Sequence, residues 1–122
     1  MIRVDFFARG QAPAPFENSD AVCCVLWNGE FPSAALRFRV TDGRAELLSL
    51  EERMPVEGLS AADVLVRAAL NRAEHCGAKS AFCADASLSA RLIQELGFAP
   101  EETGCALHEI SALFAHPCQT CQ

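Results

Sequence analysis

Few residues in this chain have the types and spacing that chemistry needs. Cys118 and Cys121 end it in a C-x-x-C, just after His116. Two thiolates at that spacing suit a zinc ion or a redox pair. A closed zinc site takes four ligands, however, and the sequence holds no second C-x-x-C, so His116 and a dimer mate would have to complete it. The expectation is a frayed tail over 116–122 with no bound metal, and a metal or thiol role for Cys118 and Cys121 stays open as an alternative. Cys23 and Cys24 are adjacent in an apolar run, where neighbouring strand side chains face opposite ways, so they do not chelate together. His75 and His108 stand alone. Ser60 and Asp63 have the spacing of a capping box, in which each side chain satisfies a backbone N–H at a helix start.

The stretch 57–98 must position whatever site there is. After the turn at Gly58, apolar residues recur at Ala61, Leu65, Ala68, Ala69, Ala73 and Cys76, one face of a 3.6-residue period. Gly77 stands where a left-handed cap is expected. The short apolar segment 79–84 reads as a buried strand. A second helix opens at Asp85 or Ser87, carries Leu88, Leu92 and Leu96 at four-residue steps, and stops at Gly97-Phe98.

Before that stretch the chain reads as strands. Residues 2–7 alternate, and 21–27 form a continuous apolar run. Residues 34–40 place Leu36, Phe38 and Val40 on one face and Arg37 and Arg39 on the other. Asn28-Gly29 and Asp42-Gly43 are turn signals, so 21–52 is an antiparallel meander of three strands. Residues 8–20, with Pro13 and Pro15, have no helical period and read as a loop. After Phe98, 99–104 reads as a polar segment and 105–114 as a last strand.

The 122 residues suit one domain of 1–115 followed by the tail 116–122. Hydrophobic residues make up 51% and charged residues 21%, ordinary for a globular chain. A net charge of −6 argues against nucleic-acid binding, which needs a basic footprint. No apolar run approaches a membrane span and no secretory pattern opens the chain, so a soluble, cytoplasmic protein is expected. Seven cysteines, an odd number, then read as reduced thiols, with Cys76, Cys83 and Cys105 at core or strand positions.

The order loop, helix, strand, helix and "GF" between Glu57 and Phe98 resembles the GNAT superfamily of acyl-CoA-dependent N-acetyltransferases. The resemblance implies an α+β single domain with a mixed, mostly antiparallel sheet, its first family helices reduced or absent. It implies acetyl-CoA or another acyl-CoA as cofactor, its pyrophosphate held on Gly58, Leu59, Ser60, Ala61 and Ala62 at the helix start. A small-molecule or peptide amine would be the acceptor, and a homo-oligomer is compatible with it. In the family this loop usually reads Q/R-x-x-G-x-G/A; here Glu57 replaces the Arg or Gln and Ser60 replaces a glycine. Arg53 is expected to fold back and offset Glu57.

The family's catalytic residues are matched less well. The Tyr that often serves as acid corresponds to Ile93, and the chain has no tyrosine. The Asn often found seven residues earlier corresponds to Ala86. A Glu on or after the fourth strand often serves as base, and Glu46, Glu51 and Glu52 are the candidates. The implied function is therefore an impaired or specialised acetyltransferase, with a non-catalytic binding or assembly module of the same fold as the alternative. With only the loop 8–20 where relatives carry helices, the acceptor side should be open or completed by a partner subunit.

Overall fold

The computed structural model describes residues 1–17 and 20–114. Strand β1 (Ile2–Phe7) is followed by the meander β2 (Val22–Asn28), β3 (Phe31–Thr41) and β4 (Arg44–Glu52). Its turns are made by the residues whose backbones tolerate them. Asp42 and Gly43 both take positive φ, 52° and 74°, and close a two-residue hairpin between the paired Thr41 and Arg44. Helix α1 (Ala61–His75), strand β5 (Ser80–Cys83) and helix α2 (Ala86–Leu96) come next. The chain then forms β6 (Ala99–Glu101), β7 (Gly104–Leu107) and the short helix α3 (Ile110–Leu113). All strands join one seven-stranded sheet in the order β1-β2-β3-β4-β5-β7-β6, antiparallel throughout except for the β4–β5 pair.

The helices start and stop where local chemistry directs. Ser60 caps α1 by accepting from the Asp63 N–H at 3.2 Å, and Asp85 caps α2 by accepting from the Leu88 N–H at 2.9 Å. Only half of the expected capping box forms. The Asp63 carboxylate pairs instead with Arg67 one turn on, at 2.9 Å. Gly97 ends α2 in the left-handed conformation, φ 73°, which glycine adopts without a Cβ penalty.

Helices α1 and α2 cover one face of the sheet. Leu65, Val66, Ala69, Leu70 and Ala73 of α1 pack over Cys24, Leu26, Leu36, Phe38 and Leu47 of the strands, and Leu88, Leu92 and Leu96 of α2 extend the same core beside α1, β6 and β7. Burial of this apolar area is the main stabilising term, at about 25 cal/mol per Å². The opposite face carries a smaller cluster in which Ala12 and Phe16, from the loop after β1, sit on Cys23, Val25 and Ala35. Cys23 and Cys24 thus divide between the two faces, as strand alternation requires.

Three expectations need correction. Residues 105–114 are not one strand: β7 ends at Leu107, the chain turns, and α3 buries Ile110 and Leu113 against α1. Residues 99–104 are not simply a polar connection, because 99–101 pair with β7 as a hairpin. Cys76 is exposed rather than core, since it lies beyond the last helical turn at the C-cap of α1. The tail with Cys118 and Cys121 lies outside the described residues.

Candidate functional site: the cleft between β4 and β5

Strands β4 and β5 pair in parallel from Arg44 and Ser80 to Leu47 and Cys83, and there the pairing stops. Strand β4 runs on to Glu52, while β5 gives way to the turn before α2. The stop coincides with an irregularity on the other edge of β4. Arg37 faces Ser49 but Phe38 faces Leu47, so Leu48 is an extra, unpaired residue, a β-bulge. A bulge bends a strand and sharpens its twist, and here it falls on β4 just where β5 ends. Beyond Leu47 no strand among the described residues lies beside that edge of β4.

The loop 53–60 at the end of β4 brings the start of α1 to the mouth of this cleft. Gly58 has φ 76°, and a Cβ built on it would meet nothing within 4 Å. The N–H groups of Ala61 and Ala62, in the first turn of α1, are taken up by no protein acceptor among the described residues. They are two of the orphan donors that every helix start presents, and they carry the positive end of the helix dipole. The backbone around 58–62 therefore fits an anionic group.

The side chains around it are mostly acidic. Glu57 is exposed and makes no ion pair among the described residues. Arg53 does not offset it, because its guanidinium pairs with Glu51 at 2.7 Å. The cation that does reach the loop comes from α2. Arg91 donates from Nε to Glu95 Oε2 at 3.0 Å, from Nη1 to Glu52 Oε1 at 3.2 Å and from Nη2 to Ser60 Oγ at 3.5 Å. The Ser60 hydroxyl also donates to Glu95 Oε1. That bond, together with Arg91, holds the Glu95 carboxyl below its ordinary value of 4.5 against the opposing effect of burial. For Arg91, partial burial works to lower its pKa, but Glu95 and Glu52 outweigh it and push the guanidinium above its ordinary value.

The three glutamates proposed from sequence separate in space. Glu46 pairs with Arg39 at 3.2 Å on the stretch that β5 still covers, facing Phe82 in register. Glu51 is shared between Arg37 at 3.4 Å and Arg53. Glu52 alone is tied to α2 at the mouth of the cleft. Ser60, Ala61 and Ala62 do come together with Gly58 there, and Arg91 is the member sequence reading missed. Its one-dimensional signal was only an ordinary Arg91–Glu95 pair four residues apart on a helix.

Buried thiols lie deeper. Cys83, the last paired residue of β5, faces Cys105 of β7, and the Ser89 hydroxyl donates to the Cys83 carbonyl at 3.1 Å. Burial raises both thiol pKa values, and Cys24 is pushed up to about 12, chiefly by burial. A thiol kept protonated by burial is a weak nucleophile at neutral pH. No group of three or more His, Cys, Asp or Glu residues among the described residues is placed to hold a metal. No helix among them is long and apolar enough to cross a membrane.

The seven-stranded sheet and its three helices make a GNAT-like fold, shared with solved N-acetyltransferases. The structure superposes on YhhK of E. coli, assigned as an N-acetyltransferase and solved in solution bound to coenzyme A. The TM-score is 0.61 at 16% identity, over 88% of this chain and 98% of that one. A protein of Lactobacillus plantarum, also assigned as an N-acetyltransferase, gives 0.57 at 14% identity over 87% and 94% of the two chains. The PaiA N-acetyltransferase of Thermoplasma acidophilum, crystallised with coenzyme A, gives 0.57 at 12% identity over 70% of this chain and 57% of that one. No protein-family model and no curated protein matches the sequence. At these identities the likeness is one of fold.

Proposed function

We propose that this chain binds an acyl-CoA in the cleft between β4 and β5 and transfers the acyl group to an amine. The observation that carries the reading is the end of the parallel pairing at Leu47 and Cys83, beside the bulge at Leu48. The coenzyme A complexes of YhhK and PaiA support it, because both share the fold. Backbone N–H groups at Gly58 to Ala62 would hold the pyrophosphate, with Arg91 as the neighbouring cation. The free edge of β4 beyond Leu47 would supply hydrogen-bonding groups to the arm and to the thioester carbonyl. When bound, the cofactor supplies an acyl group activated as a thioester.

Proton handling falls to fewer groups than usual. There is no tyrosine, so the departing thiolate takes its proton from water or from the incoming amine. Of the three glutamates, Glu52 is the one at the cleft mouth, and it is engaged by Arg91. Glu51 and Glu46 are held by arginines of β3. This arrangement favours a slow or specialised enzyme. A non-catalytic binding module of the same fold is the second reading, favoured by the same missing acid and by the Glu57 carboxylate at the loop.

Calorimetric titration of the full chain with acetyl-CoA tests the proposal. Saturable one-to-one binding is expected, followed by acceptor-dependent thiol release across a panel of primary amines. Binding without release, or no binding at all, rejects the acetyltransferase and makes the non-catalytic module the better reading.

A further inference from the structure

Beyond the end of the β4–β5 pairing, side chains tie together the three elements that meet there. Arg91 of α2 reaches Glu52 at the end of β4 and Ser60 at the start of α1, while Glu95 of α2 holds both Ser60 and Arg91. Among the described residues, Arg91–Glu52 is the only hydrogen bond joining α2 to β4. We propose that Arg91 is a ligand-responsive strap: it closes the cleft by holding Glu52 in the free protein, and it changes partner to the phosphates of a diphosphate ligand that enters. The proposal rests on the acyl-CoA reading above.

The argument is one of charge and of alternatives. A diphosphate at Gly58 to Ala62 would arrive beside Glu57, Glu52 and Glu95, so at least one cation must turn towards it. No Lys or Arg lies between Arg53 and Arg67 in the sequence. Arg53 is committed to Glu51, and Arg67 to Asp63 and to the Leu113 carbonyl. Arg91 already touches Ser60, the residue that caps the helix. Its planar guanidinium can take two phosphate oxygens at once, which an ammonium cannot. The pair it must break is weak, since Arg91 and Glu52 side chains are 35% and 27% exposed. The pair with Glu95, on the same helix, can persist and keep the guanidinium aimed at the loop.

The roles of the two partners therefore have opposite signs. Glu52 opposes binding by competing for Arg91, whereas Arg91 both closes the cleft and recognises the ligand. A merely structural ion pair would make both removals act alike.

The test is calorimetric titration of the full-length protein, Glu52→Gln and Arg91→Gln with coenzyme A, and with pantetheine, which lacks the phosphates. Glu52→Gln should bind coenzyme A about two- to fivefold more tightly than wild type. Arg91→Gln should bind it about tenfold more weakly, yet bind pantetheine no more weakly than wild type. The gap between wild type and Glu52→Gln should narrow at high salt, which screens the competing pair. Equal affinity of wild type and Glu52→Gln would overturn the strap while leaving the acyl-CoA reading intact. Tighter coenzyme A binding by Arg91→Gln would show that Arg91 only obstructs, and would overturn its role in recognition. If none of the three proteins binds coenzyme A, the functional reading falls and the strap with it. Thermal melts identify a variant that fails to fold, and Glu52→Gln decides the matter if Arg91→Gln is that variant.

Discussion

Leu47 and Cys83 are the last residues of β4 and β5 to face each other as a parallel pair, and both are buried. The next residue of β4, Leu48, is the bulge. This junction sets the geometry of the candidate site. Below it the strands are locked by backbone bonds; beyond it β4 continues while β5 gives way to α2, and Arg91 of α2 reaches the end of β4 and the start of α1.

The loop itself offers the first prediction. Glu57 is exposed and unpaired among the described residues, and it lies next to Gly58, the opening of the proposed anion cradle. Exchanging it for Arg removes a like charge and adds an opposite one. Coenzyme A binding by Glu57→Arg should tighten by about 1–2 kcal/mol at low salt, with a smaller gain at moderate salt. Calorimetry on both proteins checks this, and an unchanged affinity would mean that phosphates do not approach position 57.

Glu95 predicts a pH dependence. Its pKa is lowered in the folded protein, first by the Ser60 hydroxyl and then by Arg91. A carboxyl with a depressed folded pKa adds stability that is fully present above its unfolded value and is lost as pH falls through the folded one. The side chain is 31% exposed, so the contribution is small, about 0.5–1 kcal/mol. Glu95→Gln should therefore be less stable than wild type at pH 7, and the two should converge as pH falls through and below the ordinary carboxylate range. Urea melts across that range measure it.

Gly104, the first residue of β7, allows no side chain. A Cβ built there would lie 1.9 Å from the Cys83 carbonyl oxygen and 3.0 Å from the Ala84 Cα, and the backbone has φ 149°. Gly104→Ala must push β7 away from β5 beside the junction at Cys83. A loss of about 2–4 kcal/mol is expected in chemical denaturation. A Gly97→Ala control, where nothing lies within 4 Å, should lose only about 1 kcal/mol from its left-handed backbone.

Phe16 should behave as core although it belongs to a loop. It is fully buried on the sheet face that the helices leave uncovered, over Cys23, Val25 and Ala35. Phe16→Ala should cost about 3–5 kcal/mol, as for a large core side chain. A cost under about 1 kcal/mol would show that the loop lifts freely from the sheet.

Much of this architecture was legible in the chain because it depends on near neighbours. The period of Leu65, Ala69 and Ala73 buries one face of α1, Asp42-Gly43 has the backbone freedom for a tight hairpin, and Ser60, Asp85 and Gly97 mark helix ends through bonds within a few residues. The resemblance carried by 57–98 pointed to the fold that the sheet order shows. What misled was local reading of segments whose state is set elsewhere. Residues 99–101 and 110–113 are too short to declare themselves, and they become strand and helix only because β7 and α1 offer a partner and a surface.

The site divides the same way. That the loop carries Glu57 and no cation between Arg53 and Arg67 was evident from residue types alone, since charge and capping chemistry travel with the residue. That Glu46, Glu51 and Glu52 would part company, each to a different arginine, was not evident. Neither was the extra residue Leu48, because a bulge is a register relation between two strands rather than a property of either. The meeting of Glu52, Ser60 and Arg91 spans nearly forty positions, 39 between Glu52 and Arg91 and 31 between Ser60 and Arg91. Only packing α2 beside α1 over the sheet brings them within hydrogen-bond reach. The sequence by itself determined the longer helices and strands and the charge the loop carries, through bonds and periods among near neighbours; the tertiary structure decided what the short segments become and which charge answers which, because both depend on partners distant in the chain.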